Sequence, residues 1–236
     1  MSEQPEQPTD DRQYVKFTFY GVDPGWRRLP QGQRAEGREQ LLNLLQGSGE
    51  AMITSTYSTL GTRRDTEFFV WQIADDLWPI QEFASRLVNS EIGPYLTVTE
   101  SFLSLTRRSM YRNPKHPGAS AARERVTPLG RQFLFVYPFV KTRAWYLLPK
   151  EERQRMMNEH IEIGHKYHSV KINTTYSYGI DDQEFVLAFE ADDPKVFLDL
   201  VMELRETRAS SYTERDTPMY TCRLMEPAEL LTHVGL

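Results

Sequence analysis

Hydrophobic and polar residues follow two periods along this chain, one of two residues and one of about 3.6. The two-residue period predicts strands at residues 14–20, 51–60, 67–73 and 96–105. The helical period predicts helices at residues 34–46 and 75–89. This first part of the chain therefore reads as alternating strands and helices.

The most informative pattern in the later part runs from residue 133 to residue 168. An apolar strand is predicted at 133–140, and a helix begins around Pro149, whose fixed φ suits a first helical turn. At helical spacing one face of this helix carries Met156, Met157, His160, Gly164, Tyr167 and His168. His160 is thus predicted to lie on the apolar face. On its own, such a histidine is more often a hydrogen-bonded core residue than a ligand.

The two halves of the chain share a repeated pattern. Trp26, Leu29, Pro30 and Arg34 recur 119 residues later as Trp145, Leu148, Pro149 and Arg153. Glu67, Phe68, Ala74, Asp75 and Asp76 recur 117 residues later as Glu184, Phe185, Ala191, Asp192 and Asp193. Nine identities at nearly one offset indicate a duplicated unit of strands and helices.

We therefore predict an α+β fold of two ferredoxin-like halves, whose antiparallel sheets form one barrel-like core with helices outside. The predicted parts are a disordered tail at 1–12, a structural half at 13–111, a linker at 112–131 and a site-bearing half at 132–236. The second half is expected to carry the site, because the counterpart of His160 in the repeat is Leu41, whose apolar side chain cannot bind a metal ion. A pocket between its sheet and its helices would suit a flat cofactor.

Composition excludes several classes of function. A net charge of −5, with interspersed charges, provides no basic excess for nucleic acid. The one cysteine, Cys222, excludes an intramolecular disulfide framework and a metal site built from several thiolates. No apolar run approaches the roughly 20 residues that span a bilayer, and the N-terminus lacks a signal pattern. We therefore expect a cytoplasmic protein without a membrane span.

A site built around a single histidine favours a particular kind of metal group. Zinc and di-iron sites need three or four protein ligands, which this pattern does not supply. One imidazole suffices for haem iron, because the porphyrin supplies four of the other donors. His165 and His168 are expected to be surface residues or polar neighbours of His160.

Several motifs of this region resemble those of a known family. They are Tyr137-Pro138-Phe139-Val140-Lys141, Trp145, Leu148-Pro149, Glu152-Arg153, Met156-Met157, Glu159-His160, Ile163-Gly164, Gly179-Ile180-Asp181-Asp182, Asp216-Thr217-Pro218 and, upstream, Ser101-Phe102-Leu103-Ser104 with Ser109 and Tyr111. This pattern resembles the signature of the chlorite dismutase-like superfamily and, within it, of the coproheme decarboxylases. The resemblance covers most of the chain beyond residue 12.

The resemblance implies a haem enzyme and assigns roles to two residues. His160 matches the axial iron ligand and Tyr137 matches the redox-active tyrosine. With hydrogen peroxide as oxidant, a radical on that tyrosine would attack a propionate, release CO₂ and leave a vinyl group. At two propionates this converts iron-coproporphyrin III (coproheme) into protohaem (haem b), so that the porphyrin is both cofactor and substrate.

The resemblance also implies contacts to the porphyrin. Ser109, Tyr111 and Lys141 match residues that touch propionates, and their hydroxyl and ammonium groups suit carboxylates. For Tyr111 the alternative is packing at a strand end, and for Lys141 a solvated charge. Trp145 is also a candidate, although its repeat partner Trp26 favours a packing role. Arg123, Arg125 and Arg131 are further candidates for propionate contacts.

On the two sides of the iron, the sequence departs from chlorite dismutases. Ile172 aligns with their distal arginine, and it can neither donate a hydrogen bond to an oxyanion nor stabilise its charge. His116 in the linker is a candidate distal histidine. On the proximal side, Arg208 and Ala209 align with a glutamate that raises the basicity of the axial ligand in chlorite dismutases.

Two other functions remain open. One is a haem-binding or haem-sensing protein of the same fold without catalysis, since a fold does not fix a function. The other is a chlorite dismutase or peroxidase-like haem enzyme. Whatever the function, members of the family that this sequence resembles form rings, commonly homopentamers. We therefore expect a closed homo-oligomer, most simply a homopentamer. Aromatic residues of the first half are expected to supply its apolar contacts, namely Phe17, Phe19, Tyr20, Trp26, Phe68, Phe69 and Trp71.

Overall fold

A computed structural model describes residues 11–47, 49–111 and 125–236. Up to residue 111 its elements are β1 (Tyr14–Val22), α1 (Gln31–Gln46), β2 (Met52–Ser58), β3 (Phe68–Ala74), α2 (Trp78–Val88) and β4 (Leu96–Leu105). From residue 125 they are β5 (Phe133–Lys141), α3 (Arg143–Leu147), α4 (Lys150–Lys166), β6 (Lys171–Tyr176), β7 (Phe185–Ala191), α5 (Pro194–Arg205), β8 (Thr213–Arg215), β9 (Tyr220–Leu224) and α6 (Pro227–His233). No helix in these ranges is long and apolar enough to cross a bilayer.

The boundaries of the helices follow local chemistry. The second helix begins at Trp78, three residues later than predicted, and just before it the Asp76 carboxylate accepts the backbone N–H of Trp78 at 2.6 Å in a local turn. Helices α1 and α4 each begin directly after a proline, Pro30 and Pro149. A fixed φ thus starts both long helices of the repeat.

The strands form two four-stranded units joined into one closed sheet. The first unit has the order β4-β1-β3-β2 and the second the order β6-β7-β5-β9, and the named neighbours pair in antiparallel fashion. Pairing of Tyr57 with Leu224 joins β2 to β9, and pairing of Leu105 with Tyr176 joins β4 to β6. The short strand β8 pairs in antiparallel fashion with the carboxyl end of β5. The prediction of two ferredoxin-like halves around a barrel-like antiparallel core, with helices outside, is confirmed.

One side-chain contact of the repeat is preserved between the halves. The Glu67 carboxylate accepts the backbone N–H of Val22 at 3.0 Å, at the end of β1. The Glu184 carboxylate accepts the backbone N–H of Lys141 at 2.8 Å, at the end of β5. Each glutamate therefore satisfies a donor at the point where its sheet's first strand ends.

The aromatic residues of the first half lie inside the protein. All seven rings that we expected at a subunit interface are at most 5% exposed. Phe17 and Phe19 point into the barrel, where Phe19 stacks on Phe69 at 4.6 Å between centroids, whereas Tyr20 and Phe68 lie beneath the helices. The prediction that these rings form subunit contacts is wrong, because alternate residues of a strand face the barrel and the helices and both faces are covered.

The two halves are covered unequally. Leu41 and Leu44 of α1, together with Leu230 and Leu231 of α6, belong to one hydrophobic cluster over the first half's sheet. The C-terminal residue is held there as well, since the Arg38 guanidinium donates to the Leu236 carbonyl at 3.1 Å. The first half is thus filled with side chains, while the second half leaves a cavity beneath α4.

Candidate functional site

A cavity of about 560 Å³ lies between the outer face of the second half's sheet and helices α4 and α5. A cavity of this volume can hold a ligand of the size of a typical cofactor. Seven residues that the sequence predicted for the site line it: Ser109, Tyr111, Tyr137, Lys141, Trp145, His160 and Ile172. His116 and Arg123 lie outside the described residues. Arg125 lines the cavity and forms an ion pair with Asp75, while Arg131 lies outside the cavity lining and forms an ion pair with Asp192.

Strand β5 directs Tyr137 into the cavity. Its neighbours Val136 and Leu134 face the barrel interior, and the two-residue period turns Tyr137 to the helix side. The ring is 6% exposed and stacks on Phe189 at 5.8 Å. Burial, and next the charge of Asp216, raise the pKa of Tyr137 well above its ordinary value. The side chain is therefore a neutral phenol at physiological pH.

Helix α4 places His160 at the cavity wall. Its Nδ1 lies 3.4 Å from the hydroxyl of Thr207, which donates its own proton to the Leu204 carbonyl at 2.7 Å. The hydroxyl therefore accepts from an Nδ1–H, and this tautomer leaves the lone pair of Nε2 free for a metal. Within the described ranges, no group of three His, Cys, Asp or Glu side chains forms a metal site. A metal at His160 would thus have to bring other donors with it.

Burial sets the protonation of His160. It is the main cause that lowers the pKa to about 4, and the charge of Lys141 adds to the effect. The imidazole is therefore in its neutral, metal-binding form across the physiological range. The sequence alignment placed Arg208 and Ala209 beside this histidine, and the side chain in contact with its Nδ1 is that of Thr207, the residue just before them in the chain. Thr207 is distant from His160 in the sequence, and it offers a neutral hydroxyl rather than a carboxylate.

Lys141 is a buried cation at the carboxyl end of β5. Its side chain is 8% exposed, so the alternative of a solvated charge is wrong. The ammonium donates to the Ala209 carbonyl at 2.5 Å and lies 4.8 Å from the centre of the Trp145 ring. Burial lowers the pKa of Lys141 to about 8, and the Glu184 carboxylate opposes this shift. A further anion in the cavity would stabilise the charge.

Trp145 both packs and lines the cavity. It is 2% exposed and contacts the rings of Tyr212 and Tyr111 at 5.5 and 6.3 Å. Tyr111 in turn follows a local turn, in which the Ser109 hydroxyl accepts the Tyr111 N–H at 3.2 Å and donates to the Tyr111 carbonyl at 3.1 Å. The hydroxyl of Ser109 would have to release this carbonyl in order to donate to a ligand.

Apolar groups form the part of the cavity wall where β6 meets α4. Ile172 on β6 faces Gly164 on α4, such that a Cβ at Gly164 would lie 3.5 Å from the Ile172 Cδ1. Both residues line the cavity, as do His165 and His168. At the position where the alignment expects a distal arginine, the cavity therefore presents a methyl group.

The structure adds a polar cluster that the sequence analysis missed. Tyr146 and Tyr178 line the cavity, and the Tyr146 hydroxyl donates to the Glu184 carboxylate at 2.5 Å. The two phenol oxygens lie 2.6 Å apart. Glu184 was detectable in the sequence as the repeat counterpart of Glu67, but nothing in the pattern marked the two tyrosines.

The comparisons with known proteins establish the family. The family model described as chlorite dismutase matches residues 34–225, and the chain therefore belongs to the chlorite dismutase family. The coproheme decarboxylase of Mycolicibacterium smegmatis is 29% identical over 209 residues, which cover 88% of each chain. The chlorite dismutase of Ideonella dechloratans is 26% identical over 206 residues, 86% of this chain and 72% of that protein. A solved variant of chlorite dismutase from Candidatus Nitrospira defluvii has a TM-score of 0.85 over 95% of each chain at 22% identity, which shows the shared fold.

The low pKa of His160 predicts a pH-dependent stability. An ordinary histidine titrates near pH 6.5, so the unfolded chain takes up a proton at His160 before the folded one does. The contribution to stability is present above pH 6.5 and is lost as the pH falls toward about 4. Relative to a His160→Gln variant, the free energy of unfolding should fall by about 2 kcal/mol between pH 7 and pH 5. Urea denaturation of both proteins measures this difference, and parallel pH profiles would contradict the burial of a neutral imidazole.

Proposed function

We propose that this protein is a coproheme decarboxylase, which uses hydrogen peroxide to convert two propionates of iron-coproporphyrin III into vinyl groups, with protohaem as product. The observation that carries the proposal is the presence of a buried phenol, Tyr137, in the same cavity as a neutral histidine, His160. A haem-binding protein needs the histidine, but it has no need of an oxidisable phenol. The named function of the Mycolicibacterium smegmatis relative supports the same assignment.

The residues of the cavity fit an iron porphyrin. His160 offers one nitrogen, and the cavity walls next to it are apolar at Ile172 and Gly164. When bound, the haem supplies iron that activates peroxide and also carries the propionates that react. The neutral hydroxyl of Thr207 provides less basicity to the histidine than a carboxylate would.

The cations around the cavity suit a ligand with several carboxylates. They are Arg107, Arg125, Lys141, Lys171 and Arg205. Of these, Lys141 is the most deeply placed, and a propionate beside it would offset the burial that lowers its pKa. Ser109 and Tyr111 at the cavity's edge offer hydroxyl groups to the same ligand. We assign these residues to propionate binding.

Tyr137 is the residue to which we assign the chemistry. Its raised pKa keeps the proton on the phenol oxygen, so the side chain can release a hydrogen atom as an electron and a proton. A radical at Tyr137 would take a hydrogen atom from the β-carbon of a propionate. Loss of one further electron from that carbon radical to the peroxide-derived oxidant would then release CO₂ and leave the vinyl group. Ring stacking on Phe189 holds the phenol in place for this step.

A second candidate is chlorite chemistry, which the named function of the Ideonella dechloratans relative represents. Degradation of chlorite calls for a donor that stabilises an oxyanion beside the iron. Ile172 provides no such donor at the wall where the alignment expects one. The decarboxylase is therefore the better supported of the two enzymes.

The first test concerns the ligand. His160→Ala should strongly weaken the binding of ferric coproheme, because the iron would lose its protein ligand while the cavity remains. Titration followed by visible absorption and electron paramagnetic resonance measures the effect, with His233→Ala on the exposed C-terminal helix as control. An unchanged spectrum for His160→Ala would transfer the role to His165 or His168.

The second test separates chemistry from binding. Tyr137→Phe keeps the ring, and it should bind coproheme nearly as well as the parent but release no CO₂, because the phenol hydrogen is gone. After treatment with stoichiometric peroxide, the porphyrin products are separated by chromatography and identified by mass spectrometry. Two losses of the mass of formic acid, one for each propionate, mark complete conversion. Tyr57→Phe, a buried tyrosine inside the barrel, is the matched control. Protohaem formation at the parent's rate in Tyr137→Phe would reopen the choice in favour of haem binding.

A closed homo-oligomer, most simply a homopentamer, is also part of the proposal. The exposed apolar residues that remain as candidates for its contacts include Trp78, Val88, Leu147, Leu198 and Met202. Light scattering should give a mass several times the 27.6 kDa of one chain. A mass of one chain at micromolar concentration would refute the ring.

A further inference from the structure

Tyr146, Tyr178 and Glu184 form a hydrogen-bonded row from the cavity wall toward solvent. Tyr146 has one phenol proton, and it is donated to the Glu184 carboxylate at 2.5 Å. The bond of 2.6 Å between the two phenol oxygens must therefore be donated by Tyr178. The row has one direction: Tyr178 donates to Tyr146, and Tyr146 donates to Glu184.

The ends of the row differ in their access to solvent. Glu184 is buried and also accepts the backbone N–H of Lys141 at 2.8 Å, while the Arg143 guanidinium lies 3.8 Å away on the solvent side. Tyr178 is 42% exposed. Tyr146 lies between them, next in the chain to Trp145, and it lines the cavity together with Tyr178.

Comparison of the two halves separates the carboxylate from the phenols. In the first half Glu67 makes the same strand-end contact as Glu184. The counterpart of Tyr146 in the repeat is Arg27, which has no phenol and donates to the Val234 carbonyl at 3.2 Å. The turns that follow β2 and β6 also correspond, with Thr59 matching Ser177 and Gly61 matching Gly179. The counterpart of Tyr178 in the first half is therefore Leu60. The architectural task of the glutamate therefore does not require either phenol.

We propose that Tyr146 and Tyr178 form a relay that carries unused oxidising equivalents from the cavity to the protein surface, with Glu184 as the proton acceptor. The relay rests on the proposed function, because a bound haem together with hydrogen peroxide would supply its one-electron oxidant. Tyr146 loses one electron to that oxidant and its proton to Glu184, which leaves a neutral phenoxyl radical and a neutral carboxylic acid. Tyr178 then passes its hydrogen atom, one electron and one proton, to the oxygen of Tyr146. The radical thereby reaches the exposed ring, where a soluble thiol can reduce it.

The hydrogen bonds explain why this path serves as an outlet. A phenol is easier to oxidise when a carboxylate takes its proton in the same step, and Tyr146 has such an acceptor. For the hydroxyl of Tyr137 the described residues provide no hydrogen-bond partner, so its radical needs a proton acceptor from the bound ligand. With a reactive propionate in place Tyr137 can act; without one, the oxidising equivalents leave through Tyr146.

The experiment uses the full chain loaded with ferric protohaem, which lacks the two propionates that the proposed reaction consumes. Hydrogen peroxide is added with a nitroso spin trap, and radical adducts are located by peptide mass spectrometry. We expect an adduct at Tyr178 in the parent and its loss in Tyr146→Phe. In Tyr178→Phe this adduct disappears, but a tyrosyl signal persists in freeze-quenched electron paramagnetic resonance. Tyr212→Phe, which removes the hydroxyl of another tyrosine beside Trp145, is the matched control and should behave as the parent.

A second variant tests the proton acceptor. Glu184→Gln keeps an oxygen for the Lys141 N–H but cannot take a proton, so it should also lose the adduct at Tyr178. Haem uptake, followed by absorption, is measured for every variant to show that the cavity is intact. An adduct at Tyr178 that persists in Tyr146→Phe would overturn the relay.

The outcomes distinguish the relay from the proposed function. An adduct at Tyr178 that depends on Tyr146, together with no decarboxylation of coproheme, would support the relay and refute the decarboxylase. Decarboxylation without any adduct at Tyr178 would refute the relay alone. Failure to take up either porphyrin would refute both.

Discussion

The closure of two four-stranded sheets into one barrel is the constraint on which the rest of this structure depends. Pairing of β2 with β9 and of β4 with β6 leaves every strand with an inner and an outer face. The inner face is filled by rings such as Phe19 and Phe69, which pack at close centroid distances. The outer face must then be covered by helices, and the site arises where that cover is incomplete.

Among the described residues, the duplication explains why this cavity lies in the second half. In the first half Leu41 fills the space beneath its helix and joins a continuous cluster with residues of α6. In the second half the corresponding residue is His160, and Gly164 one turn later adds no side chain. One repeat unit thus became a packed scaffold while the other retained space for a ligand, with no change in the order of the strands.

Burial has a different consequence for each ionisable group in that space. It favours the uncharged form in each case, which means a neutral imidazole at His160, a retained proton on Tyr137 and a lowered pKa at Lys141. The proposed metal ligand, the proposed hydrogen-atom donor and the proposed propionate-binding cation would therefore owe their protonation behaviour to one physical effect. In the same region the Glu184 carboxylate accepts two hydrogen bonds, from the N–H of Lys141 and from the hydroxyl of Tyr146.

The sequence by itself determined the elements, the duplication and the face of α4 that carries His160, because these follow from the spacing of residues close together in the chain. It also placed Tyr137 and Lys141 on one strand before that helix. Only the tertiary structure decided that Thr207, 47 residues away, contacts His160, and that Tyr146 meets Glu184 across 38 residues. It also decided that the aromatic rings of the first half are buried, since an alternating pattern predicts two faces but not what covers each of them. Contacts between distant segments depend on how strands and helices pack against each other, and no local period encodes that packing.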